Sequence, residues 1–425
     1  LSVYTALGDT ANVAARMQGL AEPGRLVISD ATYRLVSNDV DVDALGPTEI
    51  KGKAQPMEVY RVTGVRGDDS RTRGVPGLTS QMVGRDEELA SLVSLVGAAN
   101  AGRGSVAAIV GEPGVGKSRL LAELRAGIEA MDGARLALGR CASYDERRPY
   151  HLITSLIRGI VDVRESDDLE AAGAALARSI EPLFEAGDPS VDHLLQLLGV
   201  ETGHQDDRAE VLHESYRVAL VELVSRMAER HKPLVLACED VHWSDASSAD
   251  LLVKALRDLE QVPVLVVVLS RPDRGSHGWS ILEGVRHDRG EALLELQLEP
   301  LEAHESREMV ANLLEIESLP VKVRNAVLER AEGNPFFLEE TVRMLIERQL
   351  IERADGRWVA REAIEELEVP TTLEGLLVAR IDMLSASAQR TARVASVVGR
   401  RFEAGLLDDV VPQTHGGGGS VEPGT

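Results

Sequence analysis

Residues 111–118 have the residue types and the spacing of a loop that binds phosphate groups. They read GEPGVGKS and match the pattern G-x-x-x-x-G-K-[S/T] in full. The apolar stretch VAAIV at 106–110 precedes them and favours a strand, and residues 119–130 have a helical pattern. A strand that enters such a loop and a helix that leaves it are the context in which this pattern indicates nucleotide binding.

Each residue type that this pattern specifies has a chemical role. Gly111, Gly114 and Gly116 allow consecutive backbone N–H groups to curl around the β- and γ-phosphates, where a helix N-terminus adds positive potential. Lys117 would reach the outer phosphates as a point charge, and the hydroxyl of Ser118 is placed to ligate Mg²⁺. The predicted ligands are therefore ATP or ADP and Mg²⁺.

A second apolar stretch ends in two adjacent acids, as a metal site beside such a loop requires. Residues 234–240 read LVLACED. One acid is expected to hold Mg²⁺ through its water shell while the other orients the attacking water. We expect Glu239 and Ser118 to be the metal ligands, and we expect both Glu239 and Asp240 to be catalytic. The division of roles between the two acids stays open.

Two further residues lie close to this predicted edge of the sheet. Arg271 follows the apolar stretch 264–269, and at the carboxyl end of a central strand it could sense the γ-phosphate. A solvated surface arginine is the alternative interpretation. His242 follows the acidic pair, and we expect it to be a structural hydrogen-bonding residue rather than a catalytic one.

Composition limits the classes of partner. The 425 residues include 46 Lys+Arg and 69 Asp+Glu, a formal net charge of −23, and only 3% aromatic residues. Nucleic acid is therefore an unlikely partner, because binding it needs a basic face or an aromatic stacking platform.

Two cysteines cannot build a disulfide framework or a zinc cage. The longest apolar run, 262–269, is far shorter than the ~20 residues of a membrane span, so we expect a cytoplasmic protein without a membrane partner.

The first sixty residues contain a smaller polar constellation. Asn12 and Arg16 are four residues apart and would share one face of a helix. An amide suits a sugar and a guanidinium suits phosphate charge. Lys51 and Lys53 lie together just before an apolar stretch. Taken by themselves, Asn12 and Arg16 favour a solvated helix face over a binding role.

Taken together, the motifs after residue 78 resemble the signal-transduction ATPases with numerous domains (STAND), a branch of the AAA+ ATPases. The resemblance covers about residues 78–410. Residues 239–245, EDVHWSD, resemble the acidic strand end of that family, and Arg271 resembles its sensor arginine. Residues 82–87 resemble its adenine-side motif, which implies that the nucleotide is contacted by Val83, Gly84 and Arg85.

Two later segments extend the same resemblance. Residues 333–340, GNPFFLEE, resemble the family's Gly-x-Pro helical motif, which implies that Pro335 packs near the base. Residues 370–402 resemble the start of its winged-helix subdomain. The family resemblance implies a switch, closed with ADP and open with ATP. The order Glu-Asp departs from the commoner Asp in first position.

The first sixty residues resemble the C-terminal third of a class III nucleotidyl cyclase domain. The segments 8–16, 22–24 and 51–53 occur in that family's order. The resemblance implies that Asn12 and Arg16 orient ribose and stabilise the transition state, and that Lys51, or its neighbour Lys53, meets phosphate. The family's metal-binding aspartates come from earlier strands. We therefore expect this segment by itself to lack cyclase activity, and the chain to be a fragment of a nucleotidyl cyclase.

The predicted fold class is α/β, with a parallel P-loop NTPase sheet, helical and winged-helix subdomains, and a truncated ferredoxin-like α+β piece before them. Unbroken Val/Leu runs suit a parallel sheet covered on both faces. The predicted parts are a cyclase piece at 1–64, a linker at 65–77, the ATPase domain at 78–300, a helical subdomain at 301–365, the start of a winged helix at 366–412 and a flexible tail at 413–425.

Three functions compete at this point. The first is a signalling ATPase switch that regulates a nucleotidyl cyclase-type protein. It would hydrolyse ATP slowly and signal by domain rearrangement. Whether it self-associates through the cyclase or the ATPase part stays open. The second is an ATP-dependent transcription regulator whose ATPase core controls a DNA-binding domain, which a salt-dependent gel shift would reveal. The third is an ADP-locked scaffold with negligible turnover.

Overall fold

The computed structural model of the chain describes most of its residues between 81 and 360 and shorter segments on either side. The described residues are 17, 21, 26–30, 32–33, 40–48, 57–65, 81–143, 146–163, 169–200, 209–290, 293–314, 321–354, 357–360, 372–382, 389, 391–392 and 396. Asn12, Arg16, Lys51 and Lys53 lie outside them, as do most of the predicted winged helix and the whole predicted tail.

The N-terminal part contains a three-stranded antiparallel sheet with the strand order β1-β3-β2. Its strands are β1 at Leu26–Ser29, β2 at Val40–Thr48 and β3 at Met57–Val65. The apolar runs near 25–29 and 57–62 predict β1 and β3. The sequence analysis missed β2, whose residues VDVDALGPT begin with the apolar–polar alternation of a strand but also contain acids, glycine and proline, which strands disfavour.

The centre of the molecule is a five-stranded parallel sheet with the strand order β5-β6-β7-β4-β8. This confirms the predicted α/β fold class. The strands are β4 at Ser105–Gly111, β5 at Arg135–Arg140, β6 at Leu234–Glu239, β7 at Val264–Ser270 and β8 at Leu293–Leu298. Every residue of β6 and β7 is buried, as unbroken apolar runs require.

Twelve helices accompany the strands within the described residues. In chain order they are α1 Asp86–Asn100, α2 Lys117–Glu129, α3 His151–Val161, α4 Leu169–Ile180, α5 Pro189–Leu197, α6 Ala209–Arg230, α7 Ala246–Asp258, α8 His277–Arg289, α9 Ala303–Leu314, α10 Val321–Ala331, α11 Pro335–Glu347 and α12 Leu373–Asp382. No helix of the described residues is both long enough and apolar enough to cross a membrane.

Alternate residues of the central strands enter two separate cores. Leu236 and Cys238 of β6 pack into a cluster with α3 to α8, whereas Val235 and Ala237 pack into a cluster with α1 and α2. This alternation follows from the period of two along a strand. Cys238 is a fully buried small hydrophobe, as its place in the strand predicts.

A third core joins the helices after the sheet. It contains residues of α9, α10 and α11 together with Ile351 at the start of strand β9. Strands β9 at Ile351–Ala354 and β10 at Arg357–Ala360 form the antiparallel hairpin that the sequence predicts near 350–359. This helical unit begins right after β8, so it is close to the edge of the sheet where the strands end.

Because all five strands are parallel, their carboxyl ends meet at one edge. β7 lies between β4 and β6, so the residues that follow β7 lie between the loop after β4 and the acids at the end of β6. Ligands bind at such an edge in open α/β sheets.

The loop after β6 is held by one buried carboxylate. Asp245 is the N-cap of α7, where its Oδ1 accepts from the Ser248 N–H at 2.9 Å and its Oδ2 from the Ser248 hydroxyl at 2.6 Å. The same carboxylate accepts from the backbone N–H groups of Tyr150 at 3.0 Å and His151 at 3.2 Å. Asp245 therefore caps α7 and ties it to the N-terminus of α3.

We expect Asp245→Ala to lower the free energy of unfolding by about 3 kcal/mol, because it removes a helix cap and also takes away the acceptor of the Tyr150 N–H and of the buried Ser248 side chain. Urea denaturation followed by circular dichroism measures the change.

Asp188→Ala is the matched control. Asp188 caps one helix, α5, through Ser190 and pairs with Arg226 of α6 at 3.5 Å; because a partly exposed ion pair adds little, its loss should cost about 1 kcal/mol. Equal losses in the two variants would contradict the double role of Asp245.

Candidate functional site

The loop at 111–116 joins the end of β4 to the start of α2, as its sequence predicts. Gly114 and Gly116 have φ of +86° and +104°, a region that favours glycine. Gly116 is the N-cap of α2, and no side chain caps that helix end. The first N–H groups of a helix lack partners within the helix, so this helix end can bind an anion through its backbone.

Lys117 is buried and lies across this loop. Its Nζ donates to the carbonyl oxygens of Gly111 at 2.7 Å and Glu112 at 2.9 Å. Burial lowers the pKa of Lys117 from 10.5 to about 8; Asp240 acts in the opposite direction, and Arg271 adds to the lowering. Asp240 and Arg271 are thus close enough to Lys117 for their charges to change its pKa.

The two acids at the end of β6 have different surroundings. Glu239 is buried, and its Oε2 accepts from Nε of Arg140, the residue opposite it on β5, at 2.6 Å. Asp240 is partly exposed and has φ +56°, a left-handed conformation that is uncommon outside glycine and is frequent at functional sites. The structure therefore pairs Glu239 with an arginine and leaves Asp240 on the side of Lys117.

Arg140 is a site residue that the sequence analysis missed. Its strand, β5, reads RLALGR and carries no motif of its own. Only the pairing of β5 with β6 brings the guanidinium to Glu239.

Arg271 directly follows β7 and lies over an aromatic ring. Its Cζ is 5.8 Å from the ring centroid of Trp243, within the range of a cation–π interaction. His242 packs at a tilt against the same tryptophan, with 5.0 Å between ring centroids.

His242 is only 3% exposed, and neither ring nitrogen has a hydrogen-bond partner among the described residues. The expected structural hydrogen bond of His242 is therefore absent from that part of the chain. Burial lowers the pKa of His242 to about 4, with smaller contributions from the positive charges of Arg271 and Lys117. The imidazole is neutral at pH 7.

The segment at 82–87 lies between the sheet and the helical unit. Val83 packs against the third core. Gly84 has φ +66°, and a Cβ there would lie 2.1 Å from the Glu305 carboxylate of α9. Arg85 is buried, and its guanidinium donates to the Glu299 carbonyl oxygen and, at 3.1 Å, to Glu88. These contacts attach the predicted adenine-side motif to the start of the helical unit.

The motif at 333–340 touches the phosphate loop directly. Pro335 is the first residue of α11 and Asn334 is its N-cap. The Nδ2 of Asn334 donates to the Pro113 carbonyl oxygen at 3.0 Å, and the Phe336 N–H approaches the Gly114 carbonyl oxygen at 3.3 Å. The resemblance assigns a role to Pro335 but none to Asn334, and this contact could not be read from the sequence.

The groups at this edge fit a polyphosphate and Mg²⁺. Backbone N–H groups and an ammonium suit phosphate oxygens, while the exposed hydroxyl of Ser118 and the neighbouring carboxylates suit Mg²⁺. The described residues contain no group of three or more His, Cys, Asp or Glu side chains that could hold a metal ion.

Residues 81–267 match the model of the AAA ATPase domain. Residues 2–64 match the adenylate and guanylate cyclase catalytic domain, and residues 302–359 match a domain of unknown function. The first two matches confirm the AAA-type ATPase and the cyclase resemblances at that level. The AAA ATPase match includes the phosphate loop, the acidic strand end and the adenine-side segment.

Full-length relatives are larger than this chain. An uncharacterized protein of Rhizobium meliloti (strain 1021) is 30% identical over 421 residues, which are 95% of this chain and 38% of that protein. The receptor-type adenylate cyclase ESAG 4 of Trypanosoma brucei brucei is 34% identical over 89 residues, 20% of this chain and 7% of that protein. The chain thus spans less than half the length of either relative.

Among solved structures, the ORC1 protein of Aeropyrum pernix in complex with DNA resembles the chain with a TM-score of 0.42 and 16% identity. The alignment covers 78% of this chain and 78% of that chain.

We expect Gly114→Ala to destabilise the protein by about 2–3 kcal/mol, because a Cβ at φ +86° would be strained and would also lie 2.6 Å from Oδ1 of Asn334. Denaturant unfolding measures the change.

Gly187→Ala separates the two causes. Gly187 has nearly the same φ, +84°, but a Cβ there meets nothing within 4 Å, so only the backbone cost of about 1 kcal/mol applies. Equal effects in the two variants would rule out a tight contact between the loop and α11.

Proposed function

We propose that this chain binds ATP and ADP with Mg²⁺ and acts as a STAND-type switch, the regulatory part of a nucleotidyl cyclase-type protein. The observation that carries the proposal is the contact of α11 with the Pro113–Gly114 turn of the phosphate loop. A nucleotide at that loop would act on the helical unit through this contact. The match of residues 2–64 to a cyclase catalytic domain supports the link to a cyclase.

Binding would depend on the loop and its lysine. The N–H groups of Gly114, Gly116 and the first turn of α2 would surround the phosphates. Lys117 would move its ammonium group from the loop carbonyls to the outer phosphates, where the opposite charge favours the protonated form. Val83, Gly84, Arg85 and Pro335 would form the side that meets the base.

Hydrolysis would need Ser118 and the residues that follow β6 and β7. Ser118 and one acid, with Glu239 still a candidate, would hold Mg²⁺, which when bound would neutralise charge on the phosphates. Asp240, the acid on the side of Lys117, would orient the attacking water. Arg271, steadied by the Trp243 ring, would sense the γ-phosphate. Asn12, Arg16 and Lys51 would belong to the cyclase remnant and take no part in this site.

Turnover would be slow, so a change of domain arrangement would carry the signal rather than the product. The proposed location is the cytoplasm, and self-association through the cyclase or ATPase part is a proposed route by which the switch could act on a cyclase. An ADP-locked scaffold differs from this proposal in having no turnover.

We expect Lys117→Ala to abolish binding of ADP and ATP, weakening it at least about 100-fold, because a charge-assisted contact to phosphate is lost in a buried site. Isothermal titration calorimetry with Mg²⁺ present measures it. Lys254→Ala, which removes an exposed lysine paired with Asp250, is the control and should bind normally. Unchanged affinity in Lys117→Ala would refute the assigned site.

We expect Asp240→Asn to bind ATP normally but to hydrolyse it about 100-fold more slowly in a single turnover, because an amide cannot take a proton from water. Asp273→Asn, an exposed acid after β7, should behave as wild type. Hydrolysis too slow to measure in the wild type would favour the ADP-locked scaffold, and wild-type hydrolysis by Asp240→Asn would refute the role of Asp240.

A further inference from the structure

The side chain of Asn334 makes hydrogen bonds in two directions at once. Its Oδ1 accepts from the N–H groups of Phe336 at 3.1 Å and Phe337 at 3.2 Å, which caps α11. Its Nδ2 donates to the carbonyl oxygen of Pro113 at 3.0 Å. One planar amide therefore joins the first turn of a helix to the turn of the phosphate loop.

The two elements also lie in close contact. Gly114 leaves no space for a Cβ, which would lie 2.6 Å from Oδ1 of Asn334 and 3.1 Å from Cβ of Phe336. On the other flank of the loop, a Cβ at Gly111 would lie 2.8 Å from the carbonyl oxygen of Leu298. The loop is thus held between the end of β8 and the start of α11.

Helix α11 cannot absorb a shift at its own N-terminus. Gly333 has φ +76°, a Cβ there would lie 2.2 Å from the carbonyl oxygen of Leu301, and its carbonyl oxygen accepts from the Leu301 N–H at 2.8 Å. Phe337 and Leu338 are buried in the third core. A displacement of Asn334 would therefore be passed to α11 and its packed neighbours, since well-packed cores deform little.

We propose that Asn334 is a positioning residue that couples the phosphate loop to the helical unit α9–α11. The inference rests on the proposed nucleotide binding and names the residue that transmits it. When a nucleoside diphosphate or triphosphate reshapes the Pro113–Gly114 turn, the Asn334 amide moves α11 with it. Because coupling between two sites is reciprocal, the position of α11 equally sets the affinity of the loop for phosphate.

An amide suits this role because it presents an acceptor and a donor on one flat group. In Asn334→Asp the carboxylate still caps α11 but has no N–H for Pro113, and it places an oxygen against a carbonyl oxygen. In Asn334→Ser the hydroxyl still caps α11 but is too short to bridge to the loop as well. Both variants therefore remove the amide's link to the loop and keep the cap, and they leave the longer backbone contact of Phe336 with the Gly114 carbonyl oxygen in place.

Hydrogen exchange of the whole 425-residue chain, with and without Mg²⁺-ADP, tests the proposal. In the wild type, ADP should change the exchange rates of peptides from residues 333–347 by about fivefold or more. In Asn334→Asp and Asn334→Ser this change should fall below about twofold, while titration calorimetry still detects ADP binding because Lys117 and the loop N–H groups remain. Asp188→Asn is the matched control: it makes the reverse exchange at the N-cap of α5 and should couple like the wild type.

The outcomes separate this inference from the proposed function. Wild-type protein that does not bind ADP overturns both. Wild-type protein that binds ADP without a change in α11 overturns the inference alone, as does wild-type coupling in the asparagine variants. If Asn334→Asp does not fold, Asn334→Ser decides the matter.

Discussion

The buried ammonium group of Lys117 is the constraint on which the rest of the site depends. A cation out of water needs oxygen partners, and Lys117 has two loop carbonyls at 2.7 and 2.9 Å and the charge of Asp240 nearby. The two carbonyls belong to the loop itself, whereas the charge of Asp240 is nearby only because β4 and β6 end at the same edge of the sheet. The strand order β6-β7-β4 places the three strand ends side by side. It also brings Arg271, which follows β7, close enough for its charge to lower the pKa of Lys117. Phosphate oxygens would satisfy the same cation, which is why the loop suits a nucleotide.

The site is built from elements that differ in how firmly they are held. The central strands β6 and β7 are buried on both faces, and Asp245 ties the loop after β6 to α3 as well as to α7. The phosphate loop, in contrast, lies against Leu298 on one flank and is hydrogen-bonded by Asn334 of the helical unit on the other. The sheet is tightly packed, whereas the loop is in contact with the helical unit. In such an arrangement a small movement of the loop displaces the neighbouring unit more than it displaces the sheet.

The acidic pair shows how neighbours can distinguish two similar residues. Glu239 and Asp240 are adjacent, and their chemistry as carboxylates is the same. Arg140 neutralises Glu239 from the next strand, while Asp240 turns into a left-handed conformation on the side of Lys117. The proposed assignment of the water-orienting role to Asp240 follows from this asymmetry and not from the order of the two residues in the chain.

The sequence by itself determined the phosphate loop, the acidic strand end and the α/β class, because each is a local pattern: glycines at fixed spacing, acids after an apolar run, and Val/Leu runs that suit only a sheet covered on both faces. The edge strands β5 and β8 were not predicted, since RLALGR and LLELQL are partly solvated and mix charged with apolar residues. The pairing of Arg140 with Glu239, the burial of His242 and the contact of Asn334 with Pro113 were decided only by the tertiary structure. Arg140 and Glu239 are 99 positions apart in the chain, and Asn334 and Pro113 are 221 apart. The burial of His242 depends on what packs around its side chain. No local pattern encodes which distant surface will meet a residue.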